Sequence, residues 1–328
     1  MNSTTVLSQA PTVEAMNATS DIIWRIVDPL VYATYSFLAC LSGILIIYIF
    51  VKTEKLHEVP GFLMVAIVFV DLLVVLDLLT PAIYSTAVGE IVWHKTVLCS
   101  FQAFSQMYLQ NYKSFLIMLC ALDRALSIVF PFSYTRLMSR NVLYAALGVG
   151  LAESSLFIAY SVVSSGVIAF ADVMSGMCWL GSDDDEMYGV KSMIANMLAP
   201  GVVVVVCYTS IIVVVVQQRS EIRSQKTLKR DNHDSGVKNL LAHLAACKML
   251  FLVTLLYFLS FLPVIIVDSV SALNNLYTYK LSTYLTYLNT TTNFAIYYKL
   301  NKAFKRSAHS NLPCLSKLET DIPYSTNC

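Results

Sequence analysis

Seven stretches of the chain are long, apolar and nearly free of charge, roughly 26–51, 60–88, 97–130, 142–170, 190–218, 240–270 and 281–300. Nearly all reach the ~20 residues that carry a helix across a bilayer core. The fifth is rich in valine, with runs at 202–206 and 213–216, a composition that in water suggests buried strands. In lipid an open strand leaves its backbone polar groups unsatisfied, so helix is the expected state. The pattern predicts an all-α, seven-transmembrane helix bundle over 26–308, preceded by a polar tail (1–25) and followed by another (309–328).

The third stretch departs from the others. Gln106, Gln110, Lys113 and Arg124 stand 4, 3 and 11 residues apart, and at ~3.6 residues per turn those offsets share one helix face. A charge at mid-membrane costs at least ~2.5 kcal/mol unless it faces protein or water. This helix is therefore expected inside the bundle, with its polar stripe buried. In the seventh stretch, Asn289, Asn293 and Tyr297 at i, i+4 and i+8 also share a face. The second carries Asp71 half-way along, which reads as an internal polar site. Asp77, six residues on and ~120° around the helix, reads equally as a snorkelling or protonated acid. Pro81 is expected to kink the end of that helix. In the fourth, Glu153 must face the bundle, a water pocket or another subunit, or be neutral.

Composition agrees with a membrane chain. It is 57% hydrophobic and 13% charged, with a mean hydropathy of +0.65, where soluble domains carry ~25% charged residues. A net charge of +1 gives no footing for nucleic acid. With the N-terminus outside and the stretches alternating, 17 of 22 Lys and Arg fall on the inner side, which predicts a cytoplasmic C-terminus. Arg25, Lys95, Lys191 and Lys280 count as outer, and Lys113 lies within the membrane. The first 21 residues lack a basic region followed by an apolar one, so the first stretch is expected to act as its own insertion signal. Asn2 and Asn17 open glycosylation sequons in the outer tail. Among eight cysteines, Cys40, Cys120, Cys207 and Cys247 sit in apolar stretches as packing residues, while Cys99 and Cys178 fall on the outer side, where disulfides persist.

The inner end of the third stretch reads Asp123-Arg124-Ala125-Leu126-Ser127-Ile128-Val129-Phe130-Pro131-Phe132-Ser133-Tyr134. It resembles the Asp-Arg-Tyr, Ile, Pro, Tyr pattern of rhodopsin-like (class A) G-protein-coupled receptors, with Ala125 in place of Tyr. Phe69-Val70-Asp71-Leu72-Leu73 resembles that family's second-helix signature, and Pro200 with Tyr208 its fifth-helix pair. Tyr257, Ser260, Phe261 and Pro263 resemble the sixth-helix Phe, Cys-Trp-x-Pro run. Asn293-Phe294-Ala295-Ile296-Tyr297 resembles Asn-Pro-x-x-Tyr with Phe294 for Pro. Phe304, among Lys299, Lys302, Lys305 and Arg306, fits a short amphipathic eighth helix on an anionic leaflet. Ile44 stands where the family has Asn, and the fourth stretch lacks the usual Trp.

The resemblance implies a plasma-membrane receptor that converts binding of an extracellular ligand into activation of a heterotrimeric G protein, with no cofactor, metal or catalytic residue. It also implies a Cys99–Cys178 disulfide, and an Arg124 held by Asp123 at rest. Release of Arg124 would come as the sixth helix swings about Pro263, with Tyr208, Asn293 and Tyr297 in the switch. The ligand pocket would be lined by Gln106, Gln110, Asn111, Phe261, Ile265, Asp268, Tyr279, Thr283 and Tyr287. Gln106 stands where amine receptors carry Asp. Asp268 and the acidic run Asp183, Asp184, Asp185 and Glu186 nevertheless point to a peptide or basic small molecule, although such a run is also an ordinary solvated loop.

Around the second-helix Asp, this family commonly holds a sodium ion. Here Lys113 occupies the facing position, with Asn289 and Asn293 beside it, so its ammonium is expected in the ion's place, paired with Asp71; the alternative is a neutral Lys113, or one turned towards another acid such as Glu153. Cys314, ten residues past Phe304, resembles the family's acylated Cys, and reads equally as an unmodified cytosolic thiol. Ile44, Ala125, Phe261 and Phe294 depart at switching positions. The alternative function is therefore a ligand-binding decoy or scaffold without G-protein coupling. A transporter would show internal repeats, and none is visible.

Overall fold

Helices form wherever an apolar run is long enough to satisfy its own backbone in lipid. The computed structural model describes residues 18–88, 97–165, 167–172, 175–182, 188–226, 234–270 and 275–312. It contains α1 (Ala18–Lys52), α2 (Val59–Val74), α3 (Thr80–Val88), α4 (Val97–Val129), α5 (Pro131–Leu137) and α6 (Arg140–Ser165). After a β-hairpin follow α7 (Tyr188–Lys226), α8 (Asp234–Ser269), α9 (Leu276–Thr286), α10 (Leu288–Leu300) and α11 (Lys302–Asn311). Among the described residues, five helices contain windows long and apolar enough to cross a membrane: α1, the continuous α2–α3 rod, α6, α7 and α8. The other two spans are α4, which carries the polar stripe, and α9–α10, which is divided at Tyr287. α4 lies at the centre, packed against α2, α6, α7, α8 and both strands.

The fourth stretch does not continue as helix to 170. Val167–Asp172 forms β1, antiparallel to β2 (Met177–Ser182), in register from Val167↔Ser182 to Asp172↔Met177. β-Branched and aromatic residues suit a strand as well as a membrane helix. Cys178, covalently held to Cys99 at the start of α4, draws the hairpin across the bundle's mouth. The turn needs Gly176, whose φ is +70° and where a Cβ would come 2.8 Å from Thr86 Cγ2.

Pro81 acts through a π turn at Val75–Leu79. It has no N–H for the Asp77 carbonyl four residues back, and Gln102 Nε2 approaches that oxygen at 3.5 Å instead. Thr80 Oγ1 donates to the Val75 carbonyl at 3.0 Å. The wider turn directs the Asp77 carboxylate at α4, where Ser105 Oγ donates to it.

The seventh stretch starts earlier than 281, at a capping box in which Asn275 Oδ1 accepts from Thr278 N at 3.1 Å. At the α9–α10 break, Asn289 Nδ2 donates to the Thr286 carbonyl at 2.7 Å. α11 closes the fold through Phe304, buried against Phe294 and Tyr297 at 5.9 and 6.2 Å between ring centroids. The outward faces of α1, α6 and α7 expose Leu30, Phe37, Leu156, Tyr160, Val205 and Ile212. Such a belt of apolar side chains suits acyl chains rather than water; this is a multi-pass membrane protein.

Candidate functional site

Three polar features lie along α4. At the hairpin end is a cavity with about 590 Å³ of empty space, part of it open solvent. α4 contributes Ala103, Gln106, Met107 and Gln110, and β2 contributes Trp179 and Leu180. α7 adds Ser192, Met193, Asn196 and Met197, and α8 adds Tyr257 and Phe261. None of these twelve residues is ionisable near neutral pH. Gln106 is only 5% exposed, and its Oε1 has no hydrogen-bond partner among the described residues. The Oδ1 of Asn196 is likewise unpartnered there.

The hairpin that roofs this cavity is fastened at several points. Besides the disulfide, Cys178 N donates to Gln102 Oε1 at 3.2 Å. Asp172 Oδ2 accepts from Tyr279 OH and Ser175 Oγ, both at 2.6 Å. Trp179 Nε1 donates to that same serine at 3.0 Å, which sets the indole over the cavity. Tyr287 OH reaches Met177 Sδ at 3.1 Å.

Of the pocket set expected from the sequence, the cavity thus brings together Gln106, Gln110 and Phe261. Tyr279 and Tyr287 hold the hairpin, Thr283 Oγ1 donates to the Tyr279 carbonyl at 3.0 Å, and Ile265 and Asp268 lie outside the cavity lining. Asn111 points the other way, its Nδ2 3.5 Å from Glu153 Oε1 on the exposed side of α6. Ser192 and Asn196 were missed. Their signal is a polar pair at i, i+4 in an otherwise apolar run.

Tyr257 is the cavity's inner wall. Its hydroxyl lies 2.5 Å from Ser114 Oγ, and Lys113 Nζ, which is not in the lining, stands 5.6 Å from its ring centroid. The Lys113 ammonium donates to Asp71 Oδ1 and to Asn289 Oδ1. Asn293 Nδ2 donates to the other Asp71 oxygen at 2.7 Å, and Asn289 Nδ2 to Ser260 Oγ at 2.8 Å. One buried cluster therefore ties α2, α4, α8 and α10. A mobile cation does not fit this donor set, because the ammonium already sits on the carboxylate. Phe294, standing where the resemblance expects Pro, keeps an N–H, and it donates to Ser42 Oγ at 3.1 Å. Ile44 turns outward and is 62% exposed.

At the other end of α4, Arg124 Nε donates to Asp123 Oδ2 at 2.8 Å, with Nη2 on the same oxygen. Asp123 is fully buried, and its Oδ1 accepts from Tyr134 OH of α5 at 2.7 Å. Burial first, and the bond to Asp123 second, push the Tyr134 hydroxyl's pKa well up, so it remains a donor. Tyr208 packs edge-on to Phe251 at 5.1 Å. Tyr297 is buried, and its hydroxyl has no partner among the described residues.

A further charge pair was not foreseen. Lys280, counted by sequence as an outer-loop cation, is 6% exposed and donates to Asp28 of α1. Tyr284 OH donates to the other Asp28 oxygen, and the Trp24 ring lies 5.0 Å from the ammonium. The available signal is one lone acid and one lone base near the same end of two apolar stretches, which membrane burial obliges to pair. Asn2, Asn17, the acidic run 183–186 and Cys314 lie outside the described residues.

A sequence profile described as 7 transmembrane receptor (rhodopsin family) matches residues 42–297. Among solved structures, the crystal structure of squid rhodopsin superposes with a TM-score of 0.77 at 15% identity, covering 94% of this chain and 93% of that one. At that identity the likeness is one of fold. A comparison with curated protein sequences yields no match.

Proposed function

The chain belongs to the rhodopsin family of seven-transmembrane receptors, and on that premise we propose that ligand binding in the hairpin-roofed cavity drives heterotrimeric G-protein activation at the far end of α4. The observation that carries this reading is the shared helix. Gln106 and Gln110 face the cavity, Lys113 sits in the buried cluster, and Arg124 lies eighteen residues beyond Gln106, or ~27 Å along the axis.

At rest Asp123, itself fixed by the Tyr134 hydroxyl, holds Arg124. Activation is a population shift in which the ligand binds more tightly to a state with the inner half of α8 displaced about Pro263 and Arg124 released. The membrane-crossing direction follows the charge asymmetry of the sequence, with the N-terminus and cavity outside and α11 at the cytoplasmic leaflet of the plasma membrane. In the same frame Asn2 and Asn17 are glycosylated, and Cys314 is acylated beside the basic α11. The Lys113 ammonium replaces the sodium ion of the family.

The test is nucleotide exchange on a panel of purified G proteins, with wild-type receptor and Arg124→Ala in lipid nanodiscs. Exchange above the empty-nanodisc rate that is lost in Arg124→Ala supports coupling. Absence of exchange under every stimulus, with intact surface expression, favours a protein that binds ligand without coupling.

A further inference from the structure

We infer that the cavity takes an uncharged ligand: an apolar body that presents hydrogen-bond donors, such as a primary amide, to Gln106 and Asn196. The inference deepens the receptor reading and rests on this cavity being its ligand site.

The argument starts from what the lining lacks. Burying a charged group is costly unless a counter-ion meets it, and the described lining offers neither an acid nor a base. The buried Lys113, against the Tyr257 ring and absent from the lining, already donates to Asp71 and Asn289. A cationic ligand would meet no counter-charge in the described lining. An anionic one would find no cation in the described lining, and Lys113 is already bonded to a carboxylate. Of the acids that favoured a basic ligand from the sequence, Asp268 is outside the lining and the run 183–186 lies outside the described residues.

What the lining offers is specific. Two amide oxygens, on α4 and α7, are without a partner among the described residues, and Gln106 is nineteen-twentieths buried. A buried acceptor left unmade is unfavourable, so a ligand that donates to it gains what the empty site forgoes. Around these two acceptors stand Met107, Met193, Met197, Trp179 and Phe261. Thioethers and aromatic faces shape themselves to an apolar body and give a cation no counter-charge. The acceptors fix orientation, and the methionines set how much of the body is tolerated.

The experiment uses three probes that share one body: 6-phenylhexanamide, 6-phenylhexylamine and 6-phenylhexanoic acid. Binding to the full-length receptor in nanodiscs is followed by ligand-observed saturation-transfer NMR, with empty nanodiscs subtracted. The amide is expected to bind saturably and about tenfold more tightly than the amine or the acid. Gln106→Leu and Asn196→Leu should each weaken it by about tenfold, the worth of one buried hydrogen bond, and Asp268→Asn should leave it unchanged. Gln106→Glu, close in size, should reverse the order in favour of the amine. Thermal unfolding confirms that each variant is folded. Amine or acid binding as tightly as the amide, an amide affinity unmoved by both leucine variants, or no saturable binding by any probe overturns the inference. The nucleotide-exchange panel without probe reports on G-protein coupling separately, so either reading can fail while the other stands.

Discussion

The Lys113 ammonium stands 5.6 Å from the centre of the Tyr257 ring, so a side chain that lines the cavity also borders the buried charge cluster. A ligand that moves Tyr257 alters the surroundings of a cation that ties α4 to α2 and α10. On the proposed receptor reading, the route from cavity to Arg124 would pass through this contact, along the helix both ends share.

Removing one partner of the Lys113–Asp71 pair is expected to do more harm than removing both. A lone buried charge costs ~3–5 kcal/mol, whereas loss of the whole pair can be nearly neutral. Surface expression and thermal midpoint of Lys113→Ser, Asp71→Asn and the double variant should show strong non-additivity. Replacing sodium by N-methylglucamine should leave basal exchange unchanged in the unmutated protein. Additive defects, or inhibition by sodium, would contradict a built-in cation.

Tyr134→Phe is expected to raise basal nucleotide exchange by about tenfold. It deletes a hydrogen bond to a buried carboxylate, and such bonds are worth ~1.5–3 kcal/mol. The raised pKa of this hydroxyl gives the pH sign. Its contribution is complete below the ordinary value of 10.0 and is lost only as pH rises through the higher folded value. Wild-type and Tyr134→Phe exchange rates measured across neutral pH should therefore keep a constant ratio. A ratio that collapses within that range would remove Tyr134 from the resting lock.

The Asp28–Lys280 pair clamps α1 to α9. Lys280→Met is expected to lower stability by ~3–5 kcal/mol, since it strands Asp28 with Tyr284 alone. Adding Asp28→Asn should restore much of the loss. Thermal unfolding of the two single variants and the double in detergent reads this directly. A double variant as unstable as the sum of its parents would show that the charges act independently.

Breaking the disulfide should disable the cavity more than the Arg124 end. Cys99 and Cys178 are separated by 79 residues, and a chain-entropy estimate puts the cross-link at about 4–5 kcal/mol. Cys178 also adjoins Trp179 and Leu180, both in the cavity lining. The Cys99→Ser, Cys178→Ser double variant should melt earlier and lose amide-probe binding, while retaining the Arg124-dependent part of basal exchange. Unchanged probe affinity would mean the hairpin stays seated without its covalent tie.

The sequence by itself determined what repeats locally. Apolar length marked the seven spans, and the offsets of Gln106, Gln110 and Lys113 set α4 at the centre with those residues buried or partly buried. Asn289, Asn293 and Tyr297 share a buried face for the same reason: a helix's period is a property of its own backbone. Tertiary structure decided the rest. Val167–Asp172 leaves the helical state because a partner strand and a disulfide are available to it, and residues 142–170 by themselves show neither. Asp28 finds Lys280 across 252 residues, and the cavity draws its lining from three helices and a strand. These pairings depend on which helix faces pack together, and in lipid that choice is made by interlocking shape and the need to neutralise each buried charge, neither of which is written in any one span.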